Sequence, residues 1–362
     1  METTTLDIPR DARVDLKTMG ADDLEAFAEA MGEPRYRGRQ LFNWIYGKGV
    51  ADFAAMTNLP KAFRRDLEQV ATVSRLETKT LQQARDRTIK GLFALPSGRE
   101  IEAVLIPDID ERGEARRLTV CVSSQVGCAM GCHFCATGLR GFRGSLTAGA
   151  IGGQVWVMNE LAEARFGRPI TNIVYMGMGE PLLNYDNVLK SVDIVTHEKA
   201  LGLSPRRITV STVGLARRIK DLADDGARFN LAVSLHAPTN AKRSAIMPVN
   251  ESEKTSLPAL KEALQYYAEK TGREITYEYC LFKGLNDTPE DARRLAEVTR
   301  WAPSKVNLIM YNPVEGLAFE RTPEDRLNAF IQVLVEHGVT VTVRRSRGQD
   351  IDAACGQLAV KE

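Results

Sequence analysis

The run LTVCVSSQVGCAMGCHFC, residues 118–135, decides the fold. Its first five residues, Leu118–Val122, read as a β-strand. The strand feeds a glycine-bearing loop that carries Cys128, Cys132 and Cys135 in the spacing C-x3-C-x2-C. Downstream the strand-then-loop pattern repeats. Further strands are expected at Asn172–Met176, Arg207–Ser211, Asn230–Leu235, Ile275–Phe282, Val306–Tyr311 and Val339–Arg344. Helices are expected between them at 148–164, 185–199, 258–270, 288–301 and 323–337. Strand alternating with helix at this length implies a parallel sheet covered by helices. Six or seven such units fit an α/β fold, an open or closed barrel related to the (β/α)8 architecture.

Upstream the pattern differs. Apolar residues at helical spacing mark Asp22–Met31, Arg39–Tyr46 and Lys61–Val70, punctuated by Pro34, Gly38, Gly47, Gly49 and Pro60. Residues 88–107 read as a β-hairpin that turns at Ser97, Gly98 and Arg99. The expected organisation is a small helical domain over 1–80, a hairpin and charged connector over 81–116, and the βα core over 117–362.

Composition bounds the function. The chain has 362 residues, 44% hydrophobic and 26% charged, which excludes a disordered or collagen-like chain. No apolar run approaches the roughly 18 residues of a membrane span. The opening residues, METTTLDIPRDARVDLKTMG, lack the apolar core of an export signal, so a cytoplasmic protein is expected. A net charge of +1 argues against a basic coat for nucleic acid but leaves room for local patches. Four of the six cysteines fall within residues 121–135. That clustering points to metal binding or catalysis before disulfide structure.

Polar and special residues gather just past the expected strand ends: the cysteine loop, Gly177–Glu180, Ser211 and Thr212, Ser234–His236, Asn286, Asn312 and Cys355. In parallel α/β folds those ends converge on one face, where sites are built. The plainer alternative is that strand-to-helix loops are polar in any case.

Three thiolates on one short loop suit a soft-metal centre. Structural zinc wants four N or S ligands, and the loop offers three. His133 adjoins Cys132 and would point away, and Cys121 sits inside the strand pattern seven residues upstream of Cys128. A [4Fe–4S] cluster held by three cysteines leaves one iron open to a small molecule. That is the arrangement of the radical S-adenosylmethionine (SAM) enzymes, and C-x3-C-x2-C after the first strand of a βα barrel resembles that superfamily. The run from Met176 to Glu180 and Pro181 resembles its segment that binds the SAM amino group.

The resemblance narrows with CVSSQVGCAMGCHFC (121–135), VYMGMGEPLLN (174–184), SLHAP (234–238), MPVN (247–250) and DIDAACGQL (350–358). Together these resemble the RlmN family, radical SAM methyltransferases acting on adenine C2. The resemblance implies a partial (β/α) barrel of the radical SAM type, a [4Fe–4S] cluster on Cys128, Cys132 and Cys135, and two SAM molecules per turnover. It implies Cys355 as the methyl acceptor, Cys121 as the resolving thiol with a transient disulfide, and Glu102 as a proton acceptor. It puts Gly179, Glu180, Ser211, Ser234, Leu235, His236 and Asn312 on SAM-binding positions. The implied substrates are adenine-2503 of 23S ribosomal RNA, in protein-poor or precursor form, and adenine-37 of some transfer RNAs. An electron donor such as flavodoxin, no membrane and a monomer complete the expectation.

Adenine C2 is electron-poor and makes a poor nucleophile toward the SAM methyl, but a carbon radical can add to it. Alternatives remain for single residues. Glu102 lies in an alternating strand pattern that would turn it to solvent. His236 can be a satisfied core histidine, and Cys280 reads as core. Gln349 stands where an acidic residue is expected, and no role attaches to it. Basic points lie at Arg35, Arg37 and Arg39 with Tyr36, at Lys61, Arg64 and Arg65, at Arg206, Arg207, Arg217 and Arg218, and at Arg344, Arg345 and Arg347. As a set they suit RNA phosphates and unpaired bases. A methyltransferase for C8 of the same adenine and a non-catalytic zinc-bearing RNA-binding protein are the rival functions.

Overall fold

The computed structural model describes residues 13–252 and 255–360. Of the N-terminal stretch read for an export signal, residues 1–12 lie outside the described residues.

Ten strands form one sheet: β1 (Glu77–Gln83), β2 (Ile89–Ala94), β3 (Glu100–Ile109), β4 (Ala115–Cys121), β5 (Asn172–Tyr175), β6 (Ile208–Thr212), β7 (Asn230–Ser234), β8 (Ile275–Leu281), β9 (Ser304–Met310) and β10 (Val341–Arg344). They lie side by side in chain order. β4 to β10 are mutually parallel. β1 to β3 extend the β4 edge antiparallel. A cavity of about 700 Å³ is lined by residues of β3, β4, β5, β6, β8, β9 and β10. The sheet must therefore curl until its distant strands face one lumen, while β1 and β10 stay unpaired with each other. This is a partial barrel, as expected.

Among the described residues, ten helices of seven residues or more accompany the sheet: α1 (Ala21–Ala30), α2 (Tyr36–Phe42), α3 (Lys61–Val70), α4 (Ala148–Phe166), α5 (Tyr185–Thr196), α6 (Ala216–Asp224), α7 (Asn240–Ile246), α8 (Leu257–Thr271), α9 (Pro289–Thr299) and α10 (Glu324–Glu336). Their boundaries have local causes. Thr147 caps α4 by accepting from Ala150 N at 3.1 Å, and Gly167 ends it with φ 67°. Thr288 and Asp291 form a reciprocal capping box ahead of α9.

Three expectations need correction. Residues 77–83 fell within or beside the helical N-terminal stretch but form the edge strand β1. The helix expected over Arg39–Tyr46 begins at Tyr36 and passes into a π-turn at Asn43–Gly47. Helices α6 and α7 were not anticipated, because each spans only two turns or so between strand signals. The charged connector is a hairpin between β3 and β4, closed by Gly113 N donating to Asp110 O at 3.0 Å.

Strand periodicity explains the lumen. Alternate residues of one strand face the same side. Thr119 and Cys121, Asn172 and Val174, Thr276 and Glu278, Asn307 and Ile309, and Thr342 and Arg344 all line the cavity at that spacing. Their neighbours Leu118, Val120, Ile173, Tyr277 and Leu308 are buried in the hydrophobic core. The helices cover that outer face.

Candidate active site

The cysteine loop is held open by a small antiparallel pair, Gln125–Gly127 with Phe142–Ser145. Gly127 makes the pair possible. Its φ is 71°, and a Cβ there would stand 1.8 Å from the Gly141 carbonyl oxygen. Inside the loop, Cys135 N donates to Cys132 O at 3.2 Å.

Cys128, Cys132 and Cys135 line one cavity of about 160 Å³ together with Gly179, Glu180, Ser211, Ser234, His236 and Cys355. The structure thus brings together nine of the residues singled out from sequence. Burial pushes the Cys128 thiol up to about 12, and burial with the neighbouring Cys135 and Cys128 drives Cys132 well upward. Such thiols ionise readily only against a cation. His133, exposed, turns its Nδ1 to the Ala245 carbonyl at 2.9 Å. Cys121 lines only the larger cavity. Neither is a fourth ligand, so the donor set fits a three-thiolate [4Fe–4S] cluster rather than closed tetrahedral zinc.

Glu180 is buried, and its carboxylate is fixed by the backbone. Oε1 accepts from Leu182 N at 3.0 Å and Oε2 from Val213 N at 2.8 Å. Burial raises it to about 7 despite those bonds. Gly179, at φ 101°, lets the chain pass Gln125, where a Cβ would meet Gln125 Cβ at 2.5 Å. Gln125 Oε1 in turn accepts from Glu180 N at 2.9 Å. Ser211 and Ser234 place their hydroxyls 3.4 Å apart at adjoining strand ends.

His236 is a satisfied buried histidine, as one of its two readings had it. Its Nδ1 accepts from Cys280 N at 3.0 Å, which leaves the Nε2 tautomer, and burial lowers it to about 3. The neutral ring still lines the cavity, edge-on to Phe134. Leu235 is fully buried and lines neither cavity.

Cys355 occupies the wall common to the two cavities, with Cys135, Met176, Glu278 and Arg344. Its segment is pinned on several sides. Ala136 N donates to Gly356 O at 2.8 Å, and Asn312 Nδ2 donates to Cys355 O at 3.1 Å. Gln349 Nε2 donates to Asn312 Oδ1 at 2.8 Å, which gives position 349 the role the sequence left blank. Asn312 lines the larger cavity, not the smaller. Cys121, on β4, also lines the larger cavity and packs with Ala353 and Leu358 of the Cys355 segment. All six cysteines are free thiols, so a standing disulfide is not a feature of the fold.

Glu102 is 5% exposed, not solvent-facing. Strand β3 is covered on both sides, so alternation there does not separate core from solvent. Its Oε1 lies 3.2 Å from Lys90 Nζ, Oε2 has no partner, and the residue lines neither cavity.

Sequence reasoning missed three groups, Glu278, Tyr311 and Arg344, which line the smaller cavity. Cys280 is core, as read, and also borders that cavity. Arg344 lines both cavities beside Cys355 and Glu278, rather than standing as a surface point for RNA. Thr276, Glu278 and Cys280 recur every second residue in an otherwise apolar strand, and that recurrence was the available signal. Among the N-terminal arginines, Arg35 and Arg39 both pair with Glu25.

Comparison with known proteins agrees with this geometry. A family model described as the ribosomal RNA large subunit methyltransferase N-terminal domain matches residues 14–73, and the radical SAM superfamily model matches residues 122–296. The chain is 74% identical over 347 residues to a probable dual-specificity RNA methyltransferase RlmN of Salinibacter ruber, covering 96% of this chain and 94% of that one. It is 45% identical over 352 residues to the dual-specificity RNA methyltransferase RlmN of Nitratidesulfovibrio vulgaris, covering 96% and 95%. The crystal structure of a radical SAM methyltransferase from Sphaerobacter thermophilus superposes with a TM-score of 0.88 at 43% identity, covering 96% of this chain and all of that one.

Proposed function

The chain belongs to the RlmN family of radical SAM RNA methyltransferases, and from that premise we propose that it methylates C2 of adenine-2503 in 23S ribosomal RNA and of adenine-37 in transfer RNA. Cys355 receives the methyl group first and then passes it to the base, with Cys121 releasing the product. The observation that carries this reading is the position of Cys355 on the wall shared by both cavities. One cavity holds the three cluster cysteines and the other is large enough for a flipped base.

Cys128, Cys132 and Cys135 hold the cluster, which when bound supplies the electron that splits SAM into methionine and a deoxyadenosyl radical. Glu180 accepts from the SAM ammonium group, and Ser211, Ser234 and His236 line the remainder of its pocket. Two SAM molecules serve in succession, the first as methyl donor to Cys355 and the second as radical source. The methyl on Cys355 gives a hydrogen atom to the deoxyadenosyl radical, and the resulting S–CH2 radical adds to C2. The adduct radical would return one electron to the oxidised cluster and lose its C2 proton to a base. The Cys121 thiolate then attacks the Cys355 sulfur to form a transient disulfide. The pair of the broken sulfur–carbon bond stays on the methylene carbon, which takes a proton to become the C2 methyl. An external thiol reduces the disulfide. Burial pushes the Cys121 thiol up to about 12, and the nearby Arg344 charge works against that shift, toward the thiolate that attacks.

Glu102 is the proposed acceptor of the C2 proton. Its unpartnered Oε2 and its pairing with Lys90 support a carboxylate poised for one, reached once the Cys355 segment shifts: Lys90 Nζ also donates to Asp352 O at 3.3 Å. The helical N-terminal region, with Tyr36, Lys61 and Arg65, is proposed to grip RNA in protein-poor or precursor form. A monomer in the cytoplasm, reduced by a flavodoxin-like donor, fits these substrates.

Peptide mass spectrometry of the protein as isolated tests the reading. An extra methyl on Cys355 is expected, with C2-methyladenosine in RNA digests after turnover. Unmodified Cys355 together with RNA methylated by Cys355→Ala would refute the acceptor role, and C8-methyladenosine would move the chain to the rival methyltransferase activity.

A further inference from the structure

Arg243, on α7, is fully buried. Its Nη1 donates to Asn250 Oδ1 at 2.7 Å and to Thr255 O at 3.1 Å, and its Nη2 donates to Val213 O. Every one of these acceptors is neutral. No carboxylate pairs with Arg243 among the described residues, and its Nε–H has no partner. Burial lowers the guanidinium only to about 10, so it stays charged at neutral pH. A buried cation with no counter-ion is costly, and amide or hydroxyl side chains would tie the same carbonyls together without that cost.

The thiolate charge of the cysteine loop lies on the other side of α7. The end of this helix backs the cysteine loop: His133 N donates to Ile246 O at 3.0 Å, and His133 Nδ1 meets Ala245 O at 2.9 Å. Met247, the next residue, lines the cavity with the three cysteines, whereas Arg243 lines neither cavity. Arg243 therefore stands one layer behind the cavity wall, its Nη2 on the carbonyl of Val213, which lines the cavity with the cysteines. The ionisable group that acts most directly on it in the attractive sense is Cys132.

We propose that Arg243 is the built-in counter-charge of the cluster site, a positioning residue that makes the cluster easier to reduce. Reduction adds one negative charge to the cluster. A fixed cation behind Cys132 stabilises the reduced form over the oxidised one, and a low-dielectric interior leaves that effect largely unscreened. The inference rests on the three cysteines holding a cluster and not on the choice of RNA. A chain that binds iron but methylates no RNA leaves it standing, and a chain that takes up no iron removes it.

The test is the midpoint potential of the reconstituted, SAM-free full chain, followed by EPR-monitored redox titration. Arg243→Gln is expected to lower the equilibrium constant for reduction at least tenfold, a shift of ~59 mV to more negative potential for a one-electron couple. Arg243→Lys keeps the charge and is expected to stay closer to the parent protein. Asn250→Asp supplies the absent carboxylate at Nη1 while Arg243 remains, so it is expected to shift the potential in the same direction as Arg243→Gln. Asn250→Asp also serves where Arg243→Gln fails to fold. A parental potential in a cluster-loaded Asn250→Asp chain would overturn the proposal, as would equal shifts in Arg243→Lys and Arg243→Gln.

Discussion

Glu180 illustrates how a single side chain is specified by its surroundings. Both carboxylate oxygens are committed to backbone N–H groups, so the carboxylate is aimed before any ligand arrives. A charge-assisted bond to the SAM ammonium is the attraction this geometry offers. Glu180→Gln removes the charge and gives only one oxygen for two donors, leaving either Leu182 N or Val213 N unpaired. Cluster-loaded Glu180→Gln is expected to bind SAM about 10- to 100-fold more weakly, in line with about 1.5–3 kcal/mol for hydrogen bonds to charged groups, with iron content unchanged. Equilibrium dialysis against labelled SAM measures it. Of the single residues read from sequence, the cysteine triad and the cavity-lining Gly179, Glu180, Ser211, Ser234 and His236 converge as expected. Arg344 does not match its reading, because side-chain direction on a curled sheet is not visible in a local string.

The element on which the proposed acceptor role depends is the C-terminal segment around Cys355. It contains one short 3-10 turn, Gln349–Ile351, and otherwise depends on contacts made by other parts of the chain. Asp86 accepts from Gly348 N at 2.9 Å, Asp350 accepts from Arg85 N at 3.1 Å, and Gln357 Nε2 reaches Pro313 O at 2.9 Å. The β1–β2 turn, the β9 end and the cysteine loop thus each hold it. Gln349 acts through Asn312, which holds the Cys355 carbonyl. Gln349→Ala is expected to cost about 1 kcal/mol of local stability, the worth of one such hydrogen bond. Hydrogen exchange should rise at residues 350–357, and Cys355 methylation should slow while iron binding is retained. Such a segment lacks periodicity, and a sequence reading can place it only through motif resemblance.

At the scale of the whole molecule, the N-terminal helices are locked to the barrel through α4. Tyr46 OH donates to Lys17 O at 2.8 Å and to Met19 O at 3.0 Å, while Trp156 Nε1 on α4 donates to Tyr46 O at 3.0 Å. Gly149, in the first turn of α4, lets the helix sit directly on that backbone: a Cβ there would stand 2.3 Å from Lys17 O. Gly149→Ala is expected to destabilise the protein by about 1–3 kcal/mol through overpacking, read as a lower denaturant midpoint, with earlier proteolysis of the N-terminal region. The barrel's own order follows from its parallel strands, each joined to the next by a helical crossover so that chain order becomes spatial order.

The sequence by itself determined the alternation of strand and helix, the three-thiol loop and the polar strand ends, because each is a local pattern of spacing and residue type. Tertiary structure alone decided the burial of Glu102 beside Lys90, the inward turn of Arg344, the buried charge of Arg243 and the seat of Cys355 between two cavities. Those depend on how far the sheet curls and on which distant segments close over its end. Curl and closure are set by packing summed over the whole chain, and no short stretch of residues carries that sum.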